Sequence, residues 1–168
     1  MLNNNISNNQ AYSRGHGCDR AVFHRGGGIF AWGNNIIIKG NIIDNNSIKV
    51  RNDHECSQSY GAAYGAGIFV EGYHMRDYNN TYFNQSNYWN YSRHNYTLID
   101  SNIVTNNKII DNENKKFYTR GNGIYTHTNS AYNNDSYTAH TDITNNVVSN
   151  NIFIEQDTNG DVEQYGVG

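Results

Sequence analysis

Cys18 and Cys56 are the two cysteines of the chain, and each follows a histidine by two positions, in His16-Gly17-Cys18 and His54-Glu55-Cys56. Residues two apart on a strand share a face, so each segment would present an imidazole and a thiol together. Brought side by side, the two segments leave three outcomes open. One is a disulfide, which implies an oxidising compartment. Another is a His₂Cys₂ zinc site, at a spacing unlike that of a zinc finger. The third is a pair of buried thiols.

A second group of chemistry-bearing residues is aromatic and basic: Tyr73, His74, Arg76, Tyr78, Tyr82, Trp89, Tyr91, Arg93 and His94, joined further along by His127 and Tyr132. Aromatic rings among a few convergent polar groups are the usual make-up of a ligand site, and ring faces stack on sugars while guanidinium and imidazole groups bond hydroxyls and carboxylates. The other use of such aromatics is a satellite core beneath a long loop.

The elements that must position these residues are repeats. A Gly-x-Gly block followed by an apolar pair occurs as Gly26-Gly27-Gly28-Ile29-Phe30, Gly65-Ala66-Gly67-Ile68-Phe69 and Gly121-Asn122-Gly123-Ile124-Tyr125. An apolar pair closed by asparagines occurs as Asn41-Ile42-Ile43-Asp44-Asn45-Asn46, Lys108-Ile109-Ile110-Asp111-Asn112 and Asn146-Val147-Val148-Ser149-Asn150-Asn151, with Asn5-Ile6-Ser7-Asn8-Asn9 opening the chain. The two blocks alternate, which is the signature of a solenoid. Short β-branched segments suit strands, paired asparagines suit sharp turns, and glycine permits a close backbone approach. Stacked asparagines about 4.8 Å apart would bond one another in a ladder.

These two motifs, which cover nearly the whole chain, resemble those of the right-handed parallel β-helix family of pectate lyase-like enzymes, alginate epimerases, phage tailspikes and surface adhesins. The resemblance implies an all-β fold, a right-handed parallel β-helix of about three coils, as a single domain over 1–168. The family is functionally mixed, so its fold implies no particular chemistry. An epimerase signature that includes proline is excluded, because the chain has no proline.

Spacing locates the insertions. From the glycine block to the asparagine block the separation is 14 residues between Ile29 and Ile43, 42 between Ile68 and Ile110, and 24 between Ile124 and Val148. The excess predicts long loops at one corner, the larger over 71–98, which carries most of the aromatic and basic residues above. Asp44 and Asp111 are expected at equivalent positions one coil apart. Two stacked carboxylates would hold Ca²⁺ or act as an acid pair, and ordinary turn chemistry is the other outcome. No constellation defines an active site, so catalytic residues stay unassigned and no metal or cofactor is assigned beyond the conditional Zn²⁺ and Ca²⁺. Among other candidates, Asn79, Asn84, Asn90, Asn95 and Asn134 begin glycosylation sequons, in a chain where such triplets arise readily by chance.

Composition narrows the function. The net charge is -3 with 16% charged residues, which argues against a nucleic-acid partner. Roughly 30 asparagines and 14 tyrosines argue against disorder. No apolar run is long enough for a membrane span. The expectation is an extracellular, cell-surface or virion-surface module that binds or acts on a polysaccharide. The alternative is a structural protein: an adhesin stalk, a viral fibre segment or a filament subunit. Tyr165-Gly166-Val167-Gly168 begins another glycine block, which is expected either of an excerpt from a longer solenoid or, since Met1-Leu2 of a second copy would complete the block, of a subunit that associates head to tail.

Overall fold

The corners of the coil are written by residues in the left-handed backbone region. Asn3, Asn8, Asn35, Asn45, Ser101, Asn106, Asn145 and Asn150 have φ between 53° and 60°, a conformation asparagine tolerates better than most side chains. Between corners the chain is extended. The computed structural model describes residues 1–15, 21–33, 35–52, 60–72, 94–111, 116–128, 138–155 and 161–165. They form an all-β parallel β-helix of three to four stacked strands per sheet. Parallel crossovers of this kind take the right-handed sense.

Among the described residues, five sheets surround the axis. Sheet 1 stacks β1 (Asn5–Ser7), β6 (Ile42–Asp44), β11 (Ile103–Thr105) and β16 (Val147–Ser149). Sheet 2 stacks β2 (Gln10–Gly15), β7 (Ser47–Asn52), β12 (Lys108–Asp111) and β17 (Ile152–Glu155). Sheet 3 stacks β3 (Ala21–Arg25), β8 (Tyr60–Tyr64), β13 (Lys116–Arg120) and β18 (Asp161–Tyr165). Sheet 4 stacks β4 (Ile29–Gly33), β9 (Ile68–Gly72) and β14 (Ile124–Thr128), and sheet 5 stacks β5 (Ile36–Lys39), β10 (His94–Asp100) and β15 (Thr138–Thr144).

Alternation along each strand sends one set of side chains inward. Ile29, Ile38, Ile43, Ile68, Val70, Ile99 and Val104 pack as one buried cluster from sheets 1, 4 and 5. Ile48, Val50, Ala63, Ala66, Ile109 and Phe117 pack as a second, from sheets 2 and 3 and the turn that follows β8. Burying an isoleucine or valine fully contributes about 1.5–3 kcal/mol, so stacked columns of them are the main stabilising term.

The glycine block explains why there are two clusters. A Cβ on Gly28 would meet Ile43 Cγ2 at 2.7 Å and Asn46 Nδ2 at 2.9 Å. One on Gly67 would meet Val104 Cγ1 at 2.5 Å and Asn107 Nδ2 at 3.0 Å. The coil is pinched where the glycine backbone crosses to the corner between sheets 1 and 2. The two sequence blocks alternate because they face each other across this waist.

Asparagines fill that corner and its neighbour. In one ladder Asn4, Asn41, Asn102 and Asn146 are joined by Nδ2–H to Oδ1 bonds of 3.1, 2.9 and 2.9 Å. In the other, Asn9, Asn46, Asn107 and Asn151 are joined by bonds of 2.9, 3.0 and 2.9 Å. Each Oδ1 that accepts a rung also takes the backbone N–H of the asparagine below it, as Asn107 Oδ1 does from Asn46. The second amide proton goes to a main-chain carbonyl, from Asn107 to Ile43 O at 3.0 Å and from Asn102 to Ile38 O at 2.9 Å. The buried ladder amides therefore have their partners, which is what makes asparagine tolerable in a core.

Three expectations change. The second copy of the asparagine block is Asn102-Ile103-Val104-Thr105-Asn106-Asn107, because β11 pairs with β6; Lys108-Ile109-Ile110-Asp111 pairs instead with Ser47-Ile48-Lys49-Val50. Asp44 and Asp111 therefore do not stack. Asp44 lies opposite Thr105 in sheet 1, while Asp111 lies opposite Val50 in sheet 2 and is fully buried. The Asp44–Asp111 carboxylate pair that would have held Ca²⁺ or acted as an acid pair is absent, since the second coil carries two apolar pairs six residues apart, Ile103-Val104 before Thr105 and Ile109-Ile110 before Asp111. The insertion expected over 71–98 is also narrower, because β9 runs through Gly72 and β10 begins at His94.

Candidate functional site

The two long connections, 73–93 after β9 and 129–137 after β14, both leave sheet 4 and return to sheet 5. Their flanking strands are paired in register, so both open from one corner. Tyr73, His74, Arg76, Tyr78, Tyr82, Trp89, Tyr91, Arg93 and Tyr132 lie outside the described residues, as do Cys18 and Cys56. His94 is the first residue of β10, in register with Thr138. His127 is described fully, and it leads to the outer face of sheet 4.

On that face, outward residues fall into columns along the axis. Phe30, Phe69 and Tyr125 form one column, and Trp32, Glu71 and His127 form the next. Arg25, Tyr64 and Arg120, at the adjoining end of sheet 3, form a third. The Phe69 ring lies 5.6 Å from Phe30, 5.5 Å from Tyr125 and 6.3 Å from Tyr64. The Arg25 guanidinium covers it at 5.5 Å. Phe69 is buried as a result, although it points away from the core. Phe30 and Trp32 remain 53% and 54% exposed.

Polar groups are fixed among these rings. Arg25 Nη1 donates to Glu71 Oε2 at 3.0 Å, and His127 Nδ1 lies 3.7 Å from Glu71 Oε1. Arg120 sits 6.0 Å over the Tyr64 ring and donates to Tyr125 Oη at 3.2 Å. His127 stacks on Tyr125 with 7° between ring planes. The arrangement offers exposed ring faces bordered by a carboxylate, an imidazole and guanidinium groups.

Sheet 5, across the same corner, carries a smaller cluster. His140 Nε2 lies 2.8 Å from Asp142 Oδ1, and the Tyr96 hydroxyl donates to Asp142 Oδ2 at 3.1 Å. The Tyr96 and His140 rings stack with 8° between planes. Desolvation, and then the hydrogen bond to Asp142 and the nearby negative charge, push the Tyr96 phenol above its ordinary pKa, so it is a proton donor at neutral pH and not a base. Below it, Asp100 receives Lys39 at 2.9 Å, Thr144 at 2.9 Å and Asn145 at 2.9 Å, which hold its carboxyl far below the usual range. Among the described residues no group of three His, Cys, Asp or Glu side chains could hold a metal ion.

Of the expected ligand residues, the described part brings His127 into a cluster. The sequence reading missed Phe30, Trp32, Glu71, Tyr125 and Arg25. A usable signal was there: the residue after each inward isoleucine of the glycine block is Phe30, Phe69 or Tyr125, and two further on stand Trp32, Glu71 and His127. Comparison of the chain with protein-family models, curated proteins and solved structures found no match.

Proposed function

We propose that this chain is a glycan-binding β-helix module, working outside the cell or on a cell or virion surface, and that the outer face of sheet 4 is its contact surface. The observation that carries this reading is the exposed pair Phe30 and Trp32, fixed on a rigid sheet beside Tyr125, Glu71, His127, Arg25 and Arg120. Sugar rings present a C–H face that packs on aromatics and a rim of hydroxyls that bond charged and imidazole groups, so both halves of the requirement are met on one face. The long connections, with Tyr73, His74, Arg76, Tyr78, Tyr82, Trp89, Tyr91, Arg93 and Tyr132, start from the edge of this face and belong to the same reading. Binding rather than turnover is favoured, because the carboxylate beside the His140–Asp142–Tyr96 group, Asp100, is already engaged by Lys39, Thr144 and Asn145. The kinship with pectate lyase-like β-helices is proposed on the repeat motifs.

The chain has two tryptophans, which makes the test direct. Oligosaccharides titrated while tryptophan emission is followed should give a saturable response that survives Trp89→Phe and disappears in Trp32→Ala. Affinity unchanged in Trp32→Ala would remove sheet 4 from the site, and silence across neutral and acidic oligosaccharides would remove the glycan reading itself.

A second reading, a structural element of an adhesin stalk, fibre or head-to-tail filament, is favoured by the asparagine ladders, which tie every described coil to its neighbours. Regular filaments in negative-stain micrographs, together with no glycan response, would support it over the first.

A further inference from the structure

The outer face of sheet 2 carries a different chemistry from that of sheet 4. Its outward columns hold Gln10, Ser47, Lys108 and Ile152 in one row and Tyr12, Lys49, Ile110 and Ile154 in the next. Arg51 follows Lys49 on the same side of β7. No carboxylate occupies these positions. Asp111 and Glu155 fall in the alternate row with Val50, Asp111 buried and Glu155 exposed on the last described strand of the sheet. Asp44, before the turn that leads into β7, is taken up by the Thr105 hydroxyl and the Asn106 amide, both at 2.8 Å.

Lys49 and Lys108 lie diagonally on adjacent strands, since Lys108 is opposite Ser47. Both are half-buried, and among the described residues neither ammonium makes an ion pair or a hydrogen bond. Two like charges side by side, in a chain whose net charge is -3, are an unbalanced arrangement. They border a recess of about 290 Å³ whose other walls include Asn8, Asn45, Gln10 and Ser47. Asn45 Nδ2 donates to Asn8 Oδ1 at 2.7 Å, so the amide rim is itself fixed. A volume of this kind exceeds what a bare oxyanion occupies and suits one sugar ring.

We infer that this recess is a binding site for a sugar unit bearing an anionic group, a uronate carboxylate or a sulfate or phosphate ester, with Lys49 and Lys108 on the anion and the amides and Ser47 on the hydroxyls. It shares no residue with the sheet 4 face and does not depend on that face binding anything. Ammonium groups act as point charges with freely turning donors, so the site selects for charge more than for the shape of the anion. The contact is solvent-accessible and weakens as salt rises.

The test is a titration of the isotope-labelled chain with sodium glucuronate, glucose and sodium sulfate at constant ionic strength, read by backbone amide NMR shifts. Glucuronate should shift resonances of β7, β12 and the turn at Asn45, with glucose at least about tenfold weaker. Lys49→Gln and Lys108→Gln should each weaken glucuronate about threefold and the double variant about tenfold, with thermal stability unchanged. Trp32→Ala should leave this binding intact. Three results would overturn the assignment: glucose equal to glucuronate, wild-type affinity in the double variant, or no shifts at these strands. Sulfate equal to glucuronate would overturn its sugar-sized part. An oligosaccharide response that vanishes in Trp32→Ala while glucuronate still shifts β7 would separate this site from the sheet 4 face.

Discussion

Replacing Asn107 with leucine tests whether the ladder, and not merely the apolar columns, holds the coils together. The side chain is fully buried and makes four hydrogen bonds. It accepts from the Asn46 N–H and Nδ2, both at 3.0 Å, and donates to Ile43 O at 3.0 Å and Asn151 Oδ1 at 2.9 Å. At about 1 kcal/mol net for each bond, and with buried partners left unsatisfied, the loss is about 4 kcal/mol. That is a large fraction of the roughly 5–15 kcal/mol that holds a domain folded. Asn9 occupies the same ladder on the first described coil but gives it one side-chain bond, to Asn46 Oδ1 at 2.9 Å, so Asn9→Leu should cost about 1 kcal/mol. In urea unfolding followed by far-ultraviolet circular dichroism, the two midpoints should differ by roughly 1.5 M. Asn107→Asp should be worse than leucine at neutral pH, because a carboxylate would face Ile43 O and Asn151 Oδ1. Such a group has a raised folded pKa, so stability should return as pH falls towards the unfolded carboxylate range and be lost as pH rises. Equal midpoints for Asn107→Leu and Asn9→Leu would refute the argument, since leucine packing would then replace the ladder without loss.

Other consequences can be checked in the same way. Gly28→Ala places a methyl 2.7 Å from Ile43 Cγ2 at the waist and should destabilise by about 1–3 kcal/mol in the same urea assay. Asp100 has a folded pKa depressed by Lys39, Asn145 and Thr144, so its contribution is present above the unfolded carboxylate value of about 3.9 and lost as pH falls below it. Thermal melts from pH 7 to pH 3 should show that loss, and Lys39→Gln should flatten it.

The fold was legible because both blocks recur and because each answers a backbone need: asparagine for the left-handed corner, glycine for the waist. Register was less legible. Ile109-Ile110-Asp111 imitates Ile42-Ile43-Asp44 in composition, and only the pairing of β11 with β6 shows that Ile103-Val104-Thr105 is the true copy. An aspartate replaced by threonine hid the match. The sheet 4 face was missed for a related reason. Phe30, Phe69 and Tyr125 are far apart in sequence, and their contact depends on coils of unequal length being aligned. His94 fell within the loop expected over 71–98 because aromatic and polar residues look alike there, although it begins β10.

The ladder rungs join residues 37, 61 and 44 positions apart, with nearly constant bond lengths. The scaffold thus measures where a segment lies and is indifferent to how much chain was spent reaching it. Closing a 61-residue coil instead of a 37-residue one costs only about 0.4 kcal/mol more in chain entropy, less than a single rung returns. Segments of very different length can therefore be spliced in between sheets 4 and 5 without re-solving the interior. A fold built this way is a ready acceptor for grafted loops, and its surface can diversify while its cross-section is inherited unchanged.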